Sequence, residues 1–225
     1  MQKGSQMNIN ERINQIRNSQ CNSCPDLVAV RKNIVVSRGN PEADTVIIGQ
    51  NPGATEDEKG VPFSGPAGRL LDQIIEMCGF NPNQDFFFTN VVMCHTQNNI
   101  EPTRVHINNC SKHVQSVAGN FRKYIAIGRT AAVGICASFF PEKVGPMSMA
   151  VGMKDVITRG TPYSMRGDRM LFVTYHTSYL LRMGLTAGSI DNPFFQAVKN
   201  EIMAAKRMRA IPSTGLKFDV ATGMI

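Results

Sequence analysis

Four stretches of this chain are built around short apolar runs: residues 45–49 (TVIIG), 85–94 (DFFFTNVVMC), 123–128 (KYIAIG) and 169–175 (RMLFVTY). A strand that buries both faces has no polar alternation, so runs of this kind mark interior strands of a parallel sheet. Between them lie stretches of helical period. Residues 7–19 place Ile9, Ile13 and Ile16 on one stripe, and 67–78 do the same with Leu70, Leu71, Ile74, Ile75 and Met77. Residues 105–121, 130–140 and 193–208 also read as helices. Strand–helix alternation at this rhythm predicts an α/β fold, a three-layer α/β/α sandwich around a central four-stranded parallel sheet.

The chain has 225 residues, 42% hydrophobic and 18% charged, which suits one such domain and excludes wholesale disorder. We expect a single domain over 1–209 and a loosely held tail over 210–225, where Pro, Gly and Thr show no period. Residues 141–168, rich in Gly, Pro and Met, read as an irregular excursion with a short hairpin. The first twenty residues are polar and carry no apolar signal core. No stretch reaches the length of a membrane span; the best, 124–140, is broken by Arg129 and several glycines. A cytoplasmic monomer with reduced thiols and no membrane partner is the expectation. The net charge of +7 tilts the partner toward a polyanion such as nucleic acid.

In a sheet of this type ligands sit beyond the carboxyl ends of the strands. That rule selects the loops after Gly49, Phe88 and Tyr175, which hold Gln50-Asn51-Pro52-Gly53, Thr89-Asn90 and His176-Thr177-Ser178. The cysteines form a second constellation. Cys21 and Cys24 are a C-x-x-C pair, and Cys94, at an expected strand end, precedes Cys110 on the following helix. Four converging thiolates suit zinc or an iron–sulfur cluster. Cys78 and Cys136 fall on apolar helix faces and read as core residues.

These residues accumulate into a resemblance. GNPEADTVIIGQNPGATEDEKGVPFSGPAGRLL at 39–71 resembles the first motif block of the uracil-DNA glycosylase superfamily, above all its iron–sulfur members, family 4. FFFTNVVMC resembles that family's T-N-V-V-K-C strand, and TYHTSYLLR its T-x-H-P-S-Y-L-L-R block. Its four cluster cysteines match Cys21, Cys24, Cys94 and Cys110. The likeness covers roughly residues 13–206. It implies a glycosylase acting on single- or double-stranded DNA. Such an enzyme hydrolyses the N-glycosidic bond of uracil or a related modified pyrimidine, leaves an abasic site and does not cut the strand. It also implies a structural four-iron four-sulfur cluster, with zinc as the alternative.

Base excision needs a flipped-out base, a face to stack it on, an amide to read its edge, a placed water and a donor for the departing anion. The resemblance assigns stacking to Phe63 and edge reading to Asn90. It gives anion stabilisation to His176, and phosphate contacts to Ser64, to Ser178 and to the amides at the helix start after Ser64. Gly49 and Gly53 bound the glycine-rich loop that meets the substrate. Arg69, Arg182, Lys206, Arg207 and Arg209 are candidates for the DNA backbone.

The chain departs from family 4 in three places. Gln50 and Asn51 stand where that family has Glu and Ala, and a glutamine cannot act as a general base. G-x-N-P-G is, however, the form of branches in which Asn positions the water, so Asn51 takes that role here and Gln50 contacts the base. Glu56 and Asp57 are further carboxylates able to orient the water. Thr177 replaces a usual Pro, which implies a looser loop around His176. His95-Thr96-Gln97 replaces the family's R-P-P. The alternative these changes leave is a repurposed, non-catalytic DNA- or base-binding member of the same fold.

Overall fold

The apolar runs pair side by side, as their lack of alternation requires. In the computed structural model, which describes residues 7–139, 163–165 and 168–208, four strands run parallel: β2 (Thr45–Gly49), β3 (Phe87–Asn90), β4 (Lys123–Ile127) and β6 (Arg169–Thr174). Two short antiparallel strands close the edges, β1 (Arg38–Gly39) on β3 and β5 (Tyr163–Met165) on β6, in the order β1-β3-β2-β4-β6-β5. The four-stranded parallel sheet is therefore the centre of a six-stranded one. β3 is shorter than the sequence pattern suggests. Residues 91–94 stay buried but leave the strand, although the amides of Val91 and Val92 still donate to the carbonyls of Gly49 and Gln50.

Alternate residues of each strand feed different cores. Val46, Ile48, Phe87, Tyr124, Ala126, Leu171 and Val173 face one layer, made by α1 (Ile9–Asn18), α6 (Arg104–Ala118) and α7 (Arg129–Phe139). Ile47, Phe88, Ile125, Ile127 and Phe172 face the other, made by α4 (Pro66–Met77), α8 (Thr177–Arg182) and α9 (Pro193–Arg207). Each fully buried side chain of α4, such as Leu71, Ile74 or Ile75, contributes about 1.5–3 kcal/mol of apolar burial.

Helix ends follow local chemistry. Asn8 and Glu11 form a reciprocal capping box at the start of α1. Pro66 and Pro193 occupy first-turn positions of α4 and α9, where a missing N–H costs nothing. Met77, expected on the buried face of α4, is exposed, and Cys78 just past its end is only half-buried, whereas Cys136 is buried. Three short helices lie where the sequence shows only loop character: α2 (Pro25–Val28), α3 (Ala54–Lys59) and α5 (Pro82–Asp85). Apart from β5, the 141–168 excursion lies outside the described residues but for Asp168, and so does the 210–225 tail.

Candidate active site

The carboxyl ends of β2 and β3 lie side by side, with Gly49 paired to Asn90. This pairing explains the glycine. A Cβ at Gly49 would sit 2.4 Å from the Asn90 side-chain oxygen and 2.7 Å from the Phe63 ring. Phe63, Asn90 and Gly49 are thus brought together as an aromatic edge and an amide over bare backbone. Phe63 takes a left-handed φ of 56° and is only 8% exposed, its ring centroid 5.5 Å from that of Phe88. Its polar sequence neighbours argue against a core position; the structure corrects this, placing it at the rim of the α4-side core. Arg38 holds the loop that carries it, donating to the Pro62 carbonyl while lying over the Phe88 ring.

The loop after β2 is fixed from below. Gln50 keeps its carbonyl in the sheet as acceptor for Val92. Asn51 donates from its side-chain nitrogen to the Pro52 carbonyl and to the Thr96 hydroxyl, both at 3.1 Å. Its side-chain oxygen is thereby the group left to accept a hydrogen bond from water. Glu56 closes the loop: its carboxylate accepts from the Gly65 amide at 2.7 Å and lies against both Gly53 and Gly65, where either Cβ would come within 2.7 Å. Asp57, the other candidate carboxylate, is buried and accepts from the amides of Lys32 and Asn33. It ties down an earlier loop and is not positioned to orient a water.

His176 caps α8, and its own surroundings decide its protonation. The Ser178 amide, which can only donate, reaches His176 Nδ1 at 3.1 Å. Nδ1 is therefore an acceptor, and the ring proton sits on Nε2. The Ser178 hydroxyl lies 2.7 Å from the same nitrogen and accepts from Arg182 at 3.3 Å. Burial, seconded by the Arg182 charge, pushes the imidazole pKa down to about 4. The result is a neutral imidazole with one N–H to give. Thr177 does not loosen this loop as expected. It is fully buried, and its hydroxyl donates to the Ala67 carbonyl of α4 at 2.8 Å.

The serines expected to hold phosphate are otherwise engaged. Ser64 donates to the Val61 carbonyl, the Gly65 amide serves Glu56, and Ser178 serves His176. Of the expected cations, Arg69 and Arg182 are exposed at the site end. Lys206 is not available: it pairs with Asp44 and reaches the Asp85 carbonyl, at the amino ends of β2 and β3. Arg209 lies outside the described residues. Sequence reasoning passed over the exposed Arg129, which opens α7 directly after β4; a cation at a strand's carboxyl end is the signal that could have found it.

Cys21, Cys24, Cys94 and Cys110 line one small, partly open recess of about 20 Å³. None of these four sulfurs is in a disulfide. N–H donors already face three of them: Arg31 to Cys94 at 3.0 Å, Asn109 to Cys24 at 3.5 Å and the Met93 amide to Cys110 at 3.4 Å. Such donors suit ligated thiolates. Burial pushes the Cys110 thiol up to about 12 and raises Cys94 as well. At Cys21 burial also works upward, but hydrogen bonds with Ser23 and the Arg31 and Lys112 charges outweigh it and lower the pKa. Among the described residues no three His, Cys, Asp or Glu side chains are gathered tightly enough for a single metal ion.

A family model described as the uracil DNA glycosylase superfamily matches residues 36–202. The chain is 35% identical to the type-4 uracil-DNA glycosylase of Thermotoga maritima, over 77% of this chain and 82% of that protein. It is 32% identical to the enzyme of the same name from Pyrobaculum aerophilum, over 76% and 84%. A third, from Saccharolobus solfataricus, is 34% identical over 72% and 73%.

Proposed function

Because the chain belongs to the uracil DNA glycosylase superfamily, we propose that the site at the carboxyl ends of β2, β3 and β6 excises uracil from DNA. The enzyme is a monofunctional hydrolase. Water oxygen bonds to the sugar carbon, the carbon–nitrogen bond breaks, and its electron pair leaves with the base. One proton of the water goes to solvent, and the abasic sugar keeps the hydroxyl. The observation that carries this reading is the neutral His176, whose Nε2–H suits a pyrimidine O2 on which negative charge develops. A cationic imidazole would spend its advantage on desolvation.

The other roles follow from chemistry at each position. Asn51 offers its side-chain oxygen to the attacking water, with Gln50 beside it contacting the base. Asn90 reads the pyrimidine edge through its amide, and the Phe63 ring is the stacking face. Gly49 and Gly53 allow the backbone to approach. Ser178 acts through His176, and Ser64 shapes the loop entering α4. The enzyme works as a cytoplasmic monomer, in a compartment that keeps unpaired thiols reduced.

Cys21, Cys24, Cys94 and Cys110 hold a four-iron four-sulfur cluster in this reading, in preference to zinc. Four sulfurs around one zinc ion lie about 3.8 Å apart, with each bond near 2.3 Å. Support for ligation here comes from the N–H donors that face the sulfurs of Cys24, Cys94 and Cys110. When bound, the cluster supplies a cross-link between the N-terminal segment and the sheet, and the chemistry of excision is left to the residues above.

The test is a panel of single- and double-stranded oligonucleotides carrying uracil or other modified pyrimidines, incubated with enzyme and cleaved with alkali at abasic sites. Uracil-dependent cleavage is expected. Salt-sensitive DNA binding with no cleavage at enzyme excess would instead establish the non-catalytic reading, which Gln50 in place of a carboxylate favours.

A further inference from the structure

Two of the positions where this chain departs from the family pattern touch each other. Asn51 replaces Ala, Thr96 lies within the segment replacing R-P-P, and the Asn51 side-chain nitrogen donates to the Thr96 hydroxyl oxygen at 3.1 Å. Thr96 is 4% exposed, so its end of this bond is buried. Its polarity is forced. The Thr96 hydroxyl has one proton, and it goes to the Ile100 carbonyl at 2.6 Å, an acceptor only. What Thr96 turns toward Asn51 is a lone pair, and only the NH2 end of an amide can meet it. The Pro52 carbonyl makes the same demand from a second direction. It also accepts from His95 Nδ1 at 3.0 Å, so two consecutive residues of the loop after Cys94 grip the loop after β2.

We propose that Thr96 is the positioning residue for Asn51: its hydroxyl, aimed by the Ile100 carbonyl, selects the amide orientation that leaves the Asn51 oxygen as the water acceptor. This rests on the reading of Asn51 as the water-positioning group. Without the hydroxyl, one of the two anchors on the NH2 group is lost. The amide then gains freedom to swing, and part of the population presents no acceptor to the water. The base-reading groups, Asn90 and Phe63, meet at Gly49, so the expected loss falls on the placed water and not on base recognition.

Single-turnover excision from a uracil-containing single-stranded oligonucleotide tests this with four variants. Asn51→Ala is expected to lower the rate by about a hundredfold, as loss of a water-positioning group does. Thr96→Val keeps the shape and removes the hydroxyl. It should lower the saturating single-turnover rate by about tenfold, the size of one orienting hydrogen bond, with the half-saturating enzyme concentration unchanged. Thr96→Ser should return to within about twofold of the parent, since the hydroxyl is restored. In the double variant, Thr96→Val should cost nothing beyond Asn51→Ala. If Thr96→Val does not fold, Thr96→Cys is read by the same cycle.

Asn51→Ala at the parental rate would overturn the water-positioning reading and this proposal with it. A slow Asn51→Ala with Thr96→Val harmless, or equally costly in both backgrounds, would overturn the role of Thr96 alone.

Discussion

His176 shows how two neighbours can fix the protonation state of one side chain. A histidine at a strand end facing DNA would ordinarily be partly protonated at neutral pH. Here the Ser178 amide takes the Nδ1 lone pair, and burial with the Arg182 charge holds the pKa near about 4. The ring therefore offers Nε2–H over the whole working range. His176→Ala should slow excision by about a hundredfold at neutral pH with little change in DNA affinity, as loss of one charge-stabilising donor does. The same shift has a signed effect on stability. The unfolded chain takes up the histidine proton below about pH 6.5, while the folded chain refuses it down to about pH 4. His176 thus costs stability progressively as pH falls through that window. His176→Ala should flatten part of the fall in melting temperature between about pH 7 and pH 5. An unchanged slope would mean that the folded state protonates His176 as readily as the unfolded chain.

The elements around the site are joined by single bonds between backbone and buried side chains. Thr177 begins α8 and donates to Ala67 in the first turn of α4. A proline fits that first helical position, so the family's residue and this one both satisfy the helix. Only the threonine adds a strap to α4. Thr177→Val should cost about 0.5–1.5 kcal/mol in urea denaturation, the net worth of the one hydrogen bond lost, since the Ala67 carbonyl keeps its place in the helix ladder. Thr177→Pro should lose the strap while keeping the helix start, and excision by both variants reports whether α8 needs it. This strap could not be read from the chain, since the two residues are far apart in sequence. The strands, by contrast, were legible because an interior parallel strand shows itself as one uninterrupted apolar run. Residues 91–94 misled for the same reason: Val91, Val92 and Met93 are as buried as a strand without being one. At the site, residue types were legible but their hydrogen-bond direction was not. Ser64 and Ser178 looked available for phosphate until their acceptors were seen. Phe63 looked solvent-bound until its ring was found against Phe88.

Across the molecule, the cysteine recess and the active site meet at one short segment. Cys94 lies in the recess, His95 and Thr96 follow it directly, and both grip the loop that carries Asn51. Cys21 and Cys24 come from the segment between α1 and α2, and Cys110 from α6, so a bound cluster closes long loops of chain onto that segment. Closing long loops lowers the entropy of the unfolded state. Arg31 adds a tie of its own, donating to the Cys94 sulfur and the Cys21 carbonyl. A protein with the cluster should be brown when prepared anaerobically, with broad visible absorbance that Cys110→Ser loses. That variant should also melt about 5–10 °C lower, as ~2–4 kcal/mol of lost cross-link does in a domain of this size. Its excision rate, measured well below its own melting point, should fall in kcat with KM little changed, because what is released is the loop behind Asn51 and not the pocket that reads the base. A colourless parental protein holding one zinc per chain would replace the cluster with zinc. A Cys110→Ser variant that loses the colour but keeps the full kcat would separate the recess from the active site.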